Sequence, residues 1–229
     1  SFVKFTPDVS PIVLDANVLM YFYIVISLTV FLLVFLFFAL FYKEILFTEK
    51  LLERQHELSE NLLLNILPQQ VAQRLKADPG IIAELFPSVT ILFADIVGFT
   101  GIAASITPSE LVKTLNEIFS RFDQLVDKYQ LEKIKTIGDA YMVAGGIPVP
   151  TTDHTEKIAL LALSMLDVTR DFEVAGKKLQ VRIGFHSGTV VAGVIGKKKF
   201  SYDIWGDAVN IASRLESHGT GDKIHVSAT

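Results

Sequence analysis

The chain contains no cysteine, which excludes a disulfide framework and any thiolate-bound zinc, although a cysteine-free chain tolerates either redox environment. It also lacks an excess of positive charge: the formal net charge is −4, so nothing argues for nucleic acid as a partner. Histidine is scarce, and His56, His154, His186, His218 and His225 show no pairing at metal-ligand spacing. No internal repeat or low-complexity tract appears. What remains is a chain of 229 residues, 50% hydrophobic, with room for one globular domain of ordinary size and something greasier. It opens on Ser and closes on HVSAT without a closing element, and both ends are expected to be cut from something longer.

The hydrophobicity is uneven. From Asn17 to Tyr42 the sequence NVLMYFYIVISLTVFLLVFLFFALFY runs without a charge for about 26 residues, longer than the roughly 20 that a spanning helix needs. It is too long for a signal peptide and has no basic leader or small-residue cleavage site, so 17–42 reads as a transmembrane helix in contact with the lipid bilayer. Tyr21, Tyr23 and Tyr42 suit the interfacial aromatic belts, and Lys43, Lys50 and Arg54 after the run against Lys4 before it favour a cytoplasmic C-terminal side. Residues 1–16 read as an extracytoplasmic stub. Residues 43–86 read as a signalling helix and linker, with Phe47, Leu51, Leu58, Leu62 and Ile66 on one face, suited to a two-stranded coiled coil or to packing on the next domain. Pro68 breaks or restarts that helix.

From Pro87 to the end the pattern alternates. SVTILFADI is β-rich, PSELVKTLNEIFSRFDQLVDKY is amphipathic, EKIKTI and AYMVAGG are two short strands, and a helix follows from about Thr152 to Phe172. VRIGFHSG and VVAGVIG read as two further strands, followed by the helix DAVNIASRLES and the strand KIHVS. A βαββαβ order predicts an α+β, ferredoxin-like sandwich over 87–229, with helices on one face of a mainly antiparallel sheet.

Two acids stand out within that frame. Asp95 ends the first strand and Asp139 sits in the turn between the next two, so a ferredoxin-like fold places them side by side. Two carboxylates and the carbonyl of Ile96 suit one or two hard cations. Alternatively, each acid simply caps a turn. The glycines in VGFTG would let backbone amides at Gly98, Phe99 and Thr100 approach a phosphate at a helix N-terminus. Asn210 and Arg214 fall at i and i+4 on one helix face, as directed donors for a ribose and for a phosphate gaining charge, or merely as solvated side chains.

FADIVGFT, KTIGDAYM, YDIWGDAVNIASR and LLLNILPQQVAQRLK together resemble the class III nucleotide cyclases, in the family's order, from about Asn61 onward. The resemblance implies that Asp95, Asp139 and the Ile96 carbonyl hold two Mg²⁺ or Mn²⁺ ions. It implies that Lys135 and Asp203 select the base, and that Asn210 orients the ribose while Arg214 stabilises the transition state. Guanylyl cyclases of the family typically carry Glu and Cys where this chain has Lys135 and Asp203. A lysine donor and an aspartate acceptor match adenine N1 and its 6-amino group and oppose guanine, so the expected substrate is ATP and the expected enzyme a membrane adenylate cyclase with a cytoplasmic catalytic domain. The resemblance further implies a homodimer with shared active sites, metals from one protomer and base and transition-state residues from the other. Lys133, expected on the same strand face as Lys135, receives no role.

There are also departures. Thr189 stands where animal enzymes carry an arginine, and a triphosphate-binding lysine of the family would lie beyond Thr229, so the catalytic domain is expected to be C-terminally incomplete. Lys197–Lys199 reads as a solvated hairpin tip and His186 as a packed strand residue. The competing readings are a guanylate cyclase and a catalytically silent dimerisation or nucleotide-binding module of a receptor.

Overall fold

The computed structural model describes residues 15–78, 80–174, 176–196 and 199–228. The expected stub up to residue 14, the two lysines Lys197 and Lys198, and Thr229 lie outside them. Contacts divide the chain into a unit ending at Glu60 and a second unit, Asn61–Thr229.

Helix α1 runs unbroken over Ala16–Leu64 and buries none of its residues. With no Gly or Pro between Ala16 and Leu64, nothing in the sequence interrupts the backbone ladder. Its apolar N-terminal part is long and apolar enough to cross a membrane.

In the second unit α2 (Gln69–Ala77) restarts after Pro68, whose missing N–H is harmless at a helix start. Then come β1 (Ile82–Ile96), the short α3 (Phe99–Ala103), α4 (Pro108–Tyr129), β2 (Glu132–Ile137), β3 (Ala140–Gly145) and α5 (His154–Thr169). A small hairpin of β4 (Glu173–Val174) and β5 (Lys177–Lys178) precedes β6 (Val181–Ile195), β7 (Ser201–Trp205), α6 (Asp207–Ser217) and β8 (Lys223–Val226). Thr107 starts α4 with a capping box: its hydroxyl accepts from the Glu110 N–H, and the Glu110 carboxylate accepts from the Thr107 N–H at 2.9 Å.

The main sheet has the order β2-β3-β1-β6-β7, antiparallel throughout, with β8 added in parallel to the first half of β6. VRIGFHSG and VVAGVIG are not two strands. They form one 15-residue strand, because β6 pairs with β1 along its length and β1 takes up the mismatch at a bulge between Phe86 and Val89. The Thr189 hydroxyl donates to the Pro87 carbonyl at that bulge, 3.1 Å away.

Helices cover both faces, which corrects the one-face expectation. Leu92, Ala94 and Ile96 of β1 pack with Ile118, Phe122, Ile158 and Leu161 from α4 and α5. The alternate residues Val89, Ile91 and Phe93 pack with Val71, Ala72, Ala208 and Ala212 from α2 and α6. A strand buried on both faces loses the polar/apolar alternation that would have announced this.

Candidate active site

The apolar run of β1 carries Asp95 to its end, opposite Arg182 of β6 in the strand register. Arg182 Nη2 donates to Asp95 Oδ2 at 2.6 Å, and Arg182 Nε lies 3.2 Å from Glu216 Oε1 of α6. Asp139 occupies the β2–β3 turn behind Gly138, whose φ of 64° is the left-handed conformation that the turn requires. Burial, followed by a hydrogen bond shared with Asp95, pushes the Asp139 carboxyl up to about 6, and the Glu216 charge adds to the effect. A carboxylate whose negative neighbours make it hold its proton sits in a site that favours a cation. Burial also raises Glu216, while the bond to Asp95 holds Arg182 above its ordinary value.

The donor chemistry fits hard cations. Among the described residues no cluster of three or more His, Cys, Asp or Glu is placed to hold a metal. The acids that do converge are a pair, and Mg²⁺ is commonly held by one or two carboxylates, with carbonyl, substrate and water oxygens completing its shell. Asp95 and Asp139 are such a pair.

Lys135 and Asp203 are 68 residues apart in sequence, yet Lys135 Nζ is 2.5 Å from Asp203 Oδ2. They sit on β2 and β7, the two ends of the strand order, so the long twisted β1–β6 pair curls the sheet until its edges approach. Asp203 is buried, and its other carboxylate oxygen accepts from the Ile204 N–H at 2.9 Å.

Lys133 does not share the face of Lys135. A one-residue bulge between them sets Lys133 opposite Val143 and Lys135 opposite Met142, which belong to different sides of the sheet. Lys133 Nζ lies 2.6 Å from Asp123 Oδ1 of α4 and 5.0 Å from the centre of the Tyr141 ring, while the Tyr141 hydroxyl donates to the same Asp123 oxygen. Lys133 therefore ties β2 to α4.

Asn210 and Arg214 are both exposed on α6. Among the described residues no hydrogen bond or ion pair joins them, or Lys135 and Asp203, to the Asp95–Asp139 pair. Gly98 caps α3 with φ 68°, and a Cβ there would meet nothing within 4 Å, so its backbone conformation, not close approach, calls for glycine. His186 is buried on β6, with Nδ1 2.6 Å from the Ser227 hydroxyl. The sequence reading missed Arg182 and Glu216. An arginine opening an apolar strand and an acid ending an amphipathic helix are ordinary in sequence, and only the fold pairs them.

The family model of the adenylate and guanylate cyclase catalytic domain matches residues 81–229. The chain belongs to this family. The cyclase domain is similar to an adenylate cyclase of Mycobacterium tuberculosis, 47% identical over 180 residues that cover 78% of this chain and 41% of that protein. It is similar to the guanylate cyclase soluble subunit beta-2 of Rattus norvegicus, 44% identical over 75% of this chain and 25% of that protein. In structure it resembles the catalytic core of a rhodopsin-guanylyl cyclase with converted specificity in complex with ATPαS, with TM-score 0.61 and 37% identity over 63% of this chain and 79% of that one. The chain spans less than half the length of these curated relatives.

Proposed function

We propose that this cyclase domain is an adenylate cyclase that forms 3′,5′-cyclic AMP and pyrophosphate from ATP at a homodimer interface. The observation that carries the reading is the Lys135–Asp203 pair. A lysine offers three N–H donors and a carboxylate about four acceptor sites, so the two can hold one another and still meet adenine N1 and its 6-amino group. Guanine presents the opposite pattern at both positions, and a buried mismatch of that kind discriminates by orders of magnitude.

In the reaction the ribose 3′-hydroxyl gives up its proton and its oxygen bonds to the α-phosphorus, while the bond from that phosphorus to the bridging oxygen of the β-phosphate breaks. Nucleophile and electrophile belong to one molecule, so the protein's work is positioning and charge stabilisation. Asn210 orients the ribose, Arg214 donates to the phosphate as its charge grows, and the amides of Gly98, Phe99 and Thr100 face the triphosphate. Asp95, Asp139 and the Ile96 carbonyl would hold two Mg²⁺ or Mn²⁺ ions, which when bound activate the attacking oxygen and neutralise the leaving pyrophosphate. Asn210 and Arg214 stand exposed on α6, as a shared site with each half supplied by a different protomer requires. The kernel β2-β3-β1-β6 supports the ferredoxin-like reading, and the apolar part of α1 is read as a membrane anchor with the cyclase domain on the cytoplasmic side.

A guanylate cyclase is the second reading, since relatives of both kinds match at nearly the same identity. The test is nucleotide turnover by the membrane-embedded protein. Wild type should prefer ATP, and Lys135→Glu with Asp203→Cys should move preference toward GTP; a double variant with unchanged ATP selectivity would refute the base argument.

A further inference from the structure

One guanidinium reaches carboxylates on two different elements. Arg182 hydrogen-bonds Asp95 of β1 through Nη2 at 2.6 Å, while its Nε faces Glu216 of α6 at 3.2 Å. The second contact is incompletely made: Nε and Oε1 are both buried and neither finds a hydrogen-bond partner. A buried charge-bearing pair off its bonding alignment is an exception that calls for a reason, because such groups are normally saturated. Glu216 cannot easily turn away. Its side chain is 7% exposed, and α6 presses so closely on β6 that a Cβ at Gly184 would collide with the Glu216 backbone nitrogen. The guanidinium has more room, with its side chain 29% exposed, and it keeps its charge at every accessible pH.

We propose that Arg182 is a positioning residue that exchanges between two carboxylates, held by Asp95 when no divalent cation is present and passed to Glu216 when a cation takes Asp95. This inference rests on the reading of Asp95 and Asp139 as cation ligands. A dication arriving at Asp95 must share that carboxylate with a fixed positive charge, and Glu216 is the acceptor already aimed at the other side of the same guanidinium. The exchange has a structural consequence, because Glu216 lies on the helix that carries Asn210 and Arg214. Cation binding at the end of β1 is thereby linked to the seating of α6, and by linkage the seating of α6 feeds back on cation affinity. In a shared-site dimer those two groups serve different sites, so Arg182 connects one site with the other.

The test is Mn²⁺ binding without nucleotide, read as the free-Mn²⁺ electron paramagnetic resonance signal on the whole protein in detergent. Asp139→Asn should abolish the wild-type site. Glu216→Gln removes the negative charge that draws the guanidinium across, leaves Arg182 on Asp95, and should raise the Mn²⁺ dissociation constant on the order of tenfold; Glu216→Asp should recover most of the loss. In an Arg182→Gln background the Glu216→Gln step should change affinity by less than about twofold, because the effect runs through the guanidinium. Arg182→Gln alone should bind Mn²⁺ at least as tightly as wild type. Weaker binding by Arg182→Gln would identify a plain structural clamp, and equal weakening by Glu216→Gln in both backgrounds would identify a direct effect of the Glu216 charge; either overturns the exchange. A wild type without an Asp139-dependent Mn²⁺ site would instead remove the cation reading beneath it.

Discussion

Two polar clusters lie inside the same sheet and are built on opposite rules. Around His154, at the first turn of α5, every partner is neutral. Nε2 is 3.0 Å from the Ser88 hydroxyl, Nδ1 is 2.7 Å from that of Thr90, and Thr90 is in turn 2.9 Å from the Thr155 hydroxyl and 2.7 Å from that of Ser187. Around Arg182 the partners are carboxylates, Asp95 and Glu216, with Asp139 beside them, and one buried contact is left unaligned. A neutral, saturated network holds strands and a helix together and has nothing left to offer a ligand. A charged and incompletely satisfied one has bonding capacity in reserve. The comparison therefore assigns structure to the first cluster and chemistry to the second.

The largest effect expected from that assignment is on turnover at the charged cluster. Asp139→Ala should lower cyclic AMP synthesis by about a hundredfold or more, the scale of losing a group that stabilises transition-state charge, with little change in melting temperature. Asn210→Ala should do likewise. Mixing the two inactive chains should restore activity, because one site of the mixed dimer keeps Asp139 from one chain and Asn210 from the other. Two folded, associating variants that stay inactive together would defeat the shared-site reading.

The neutral cluster should respond in the opposite way. His154→Ala leaves the buried Thr90 hydroxyl and that of Ser88 without their ring partner and opens a void beside Gly146, which the imidazole crowds. A loss of about 2–4 kcal/mol in denaturant unfolding is expected, with turnover per folded molecule unchanged. A stable His154→Ala protein with impaired turnover would reverse the roles of the two clusters.

What the sequence disclosed of these clusters follows from how local their signals are. The apolar run in α1 could be read residue by residue, and Asp95 and Asp139 announced themselves as acids at the ends of apolar strands. The Lys135–Asp203 contact, across 68 residues, came only through family resemblance, since no local pattern shows that a sheet's edges will meet. The opposite faces of Lys133 and Lys135 stayed hidden because a bulge leaves no mark in a run such as EKIKTI. Both faces of β1 are apolar, so neither the second helical layer nor the side occupied by α6 was legible. Arg182, Glu216 and the His154 network are products of strand register, which a single sequence does not state.

The smallest effect concerns pH. Burial holds the His154 imidazole below its ordinary 6.5, against the weaker pull of the neighbouring Asp153 charge. The unfolded chain therefore takes up a proton at a pH where the folded chain still refuses it. The stability contributed by His154 is complete above about pH 6.5 and is lost as pH falls through that value toward the folded one. Chemical denaturation at pH 7.5 and at pH 5.5 should show a larger decrease for wild type than for His154→Gln, which keeps polar atoms near Ser88 and Thr90 but cannot titrate. Equal decreases would mean that His154 does not resist protonation, and the network around it would then have to be regrouped with the charged cluster.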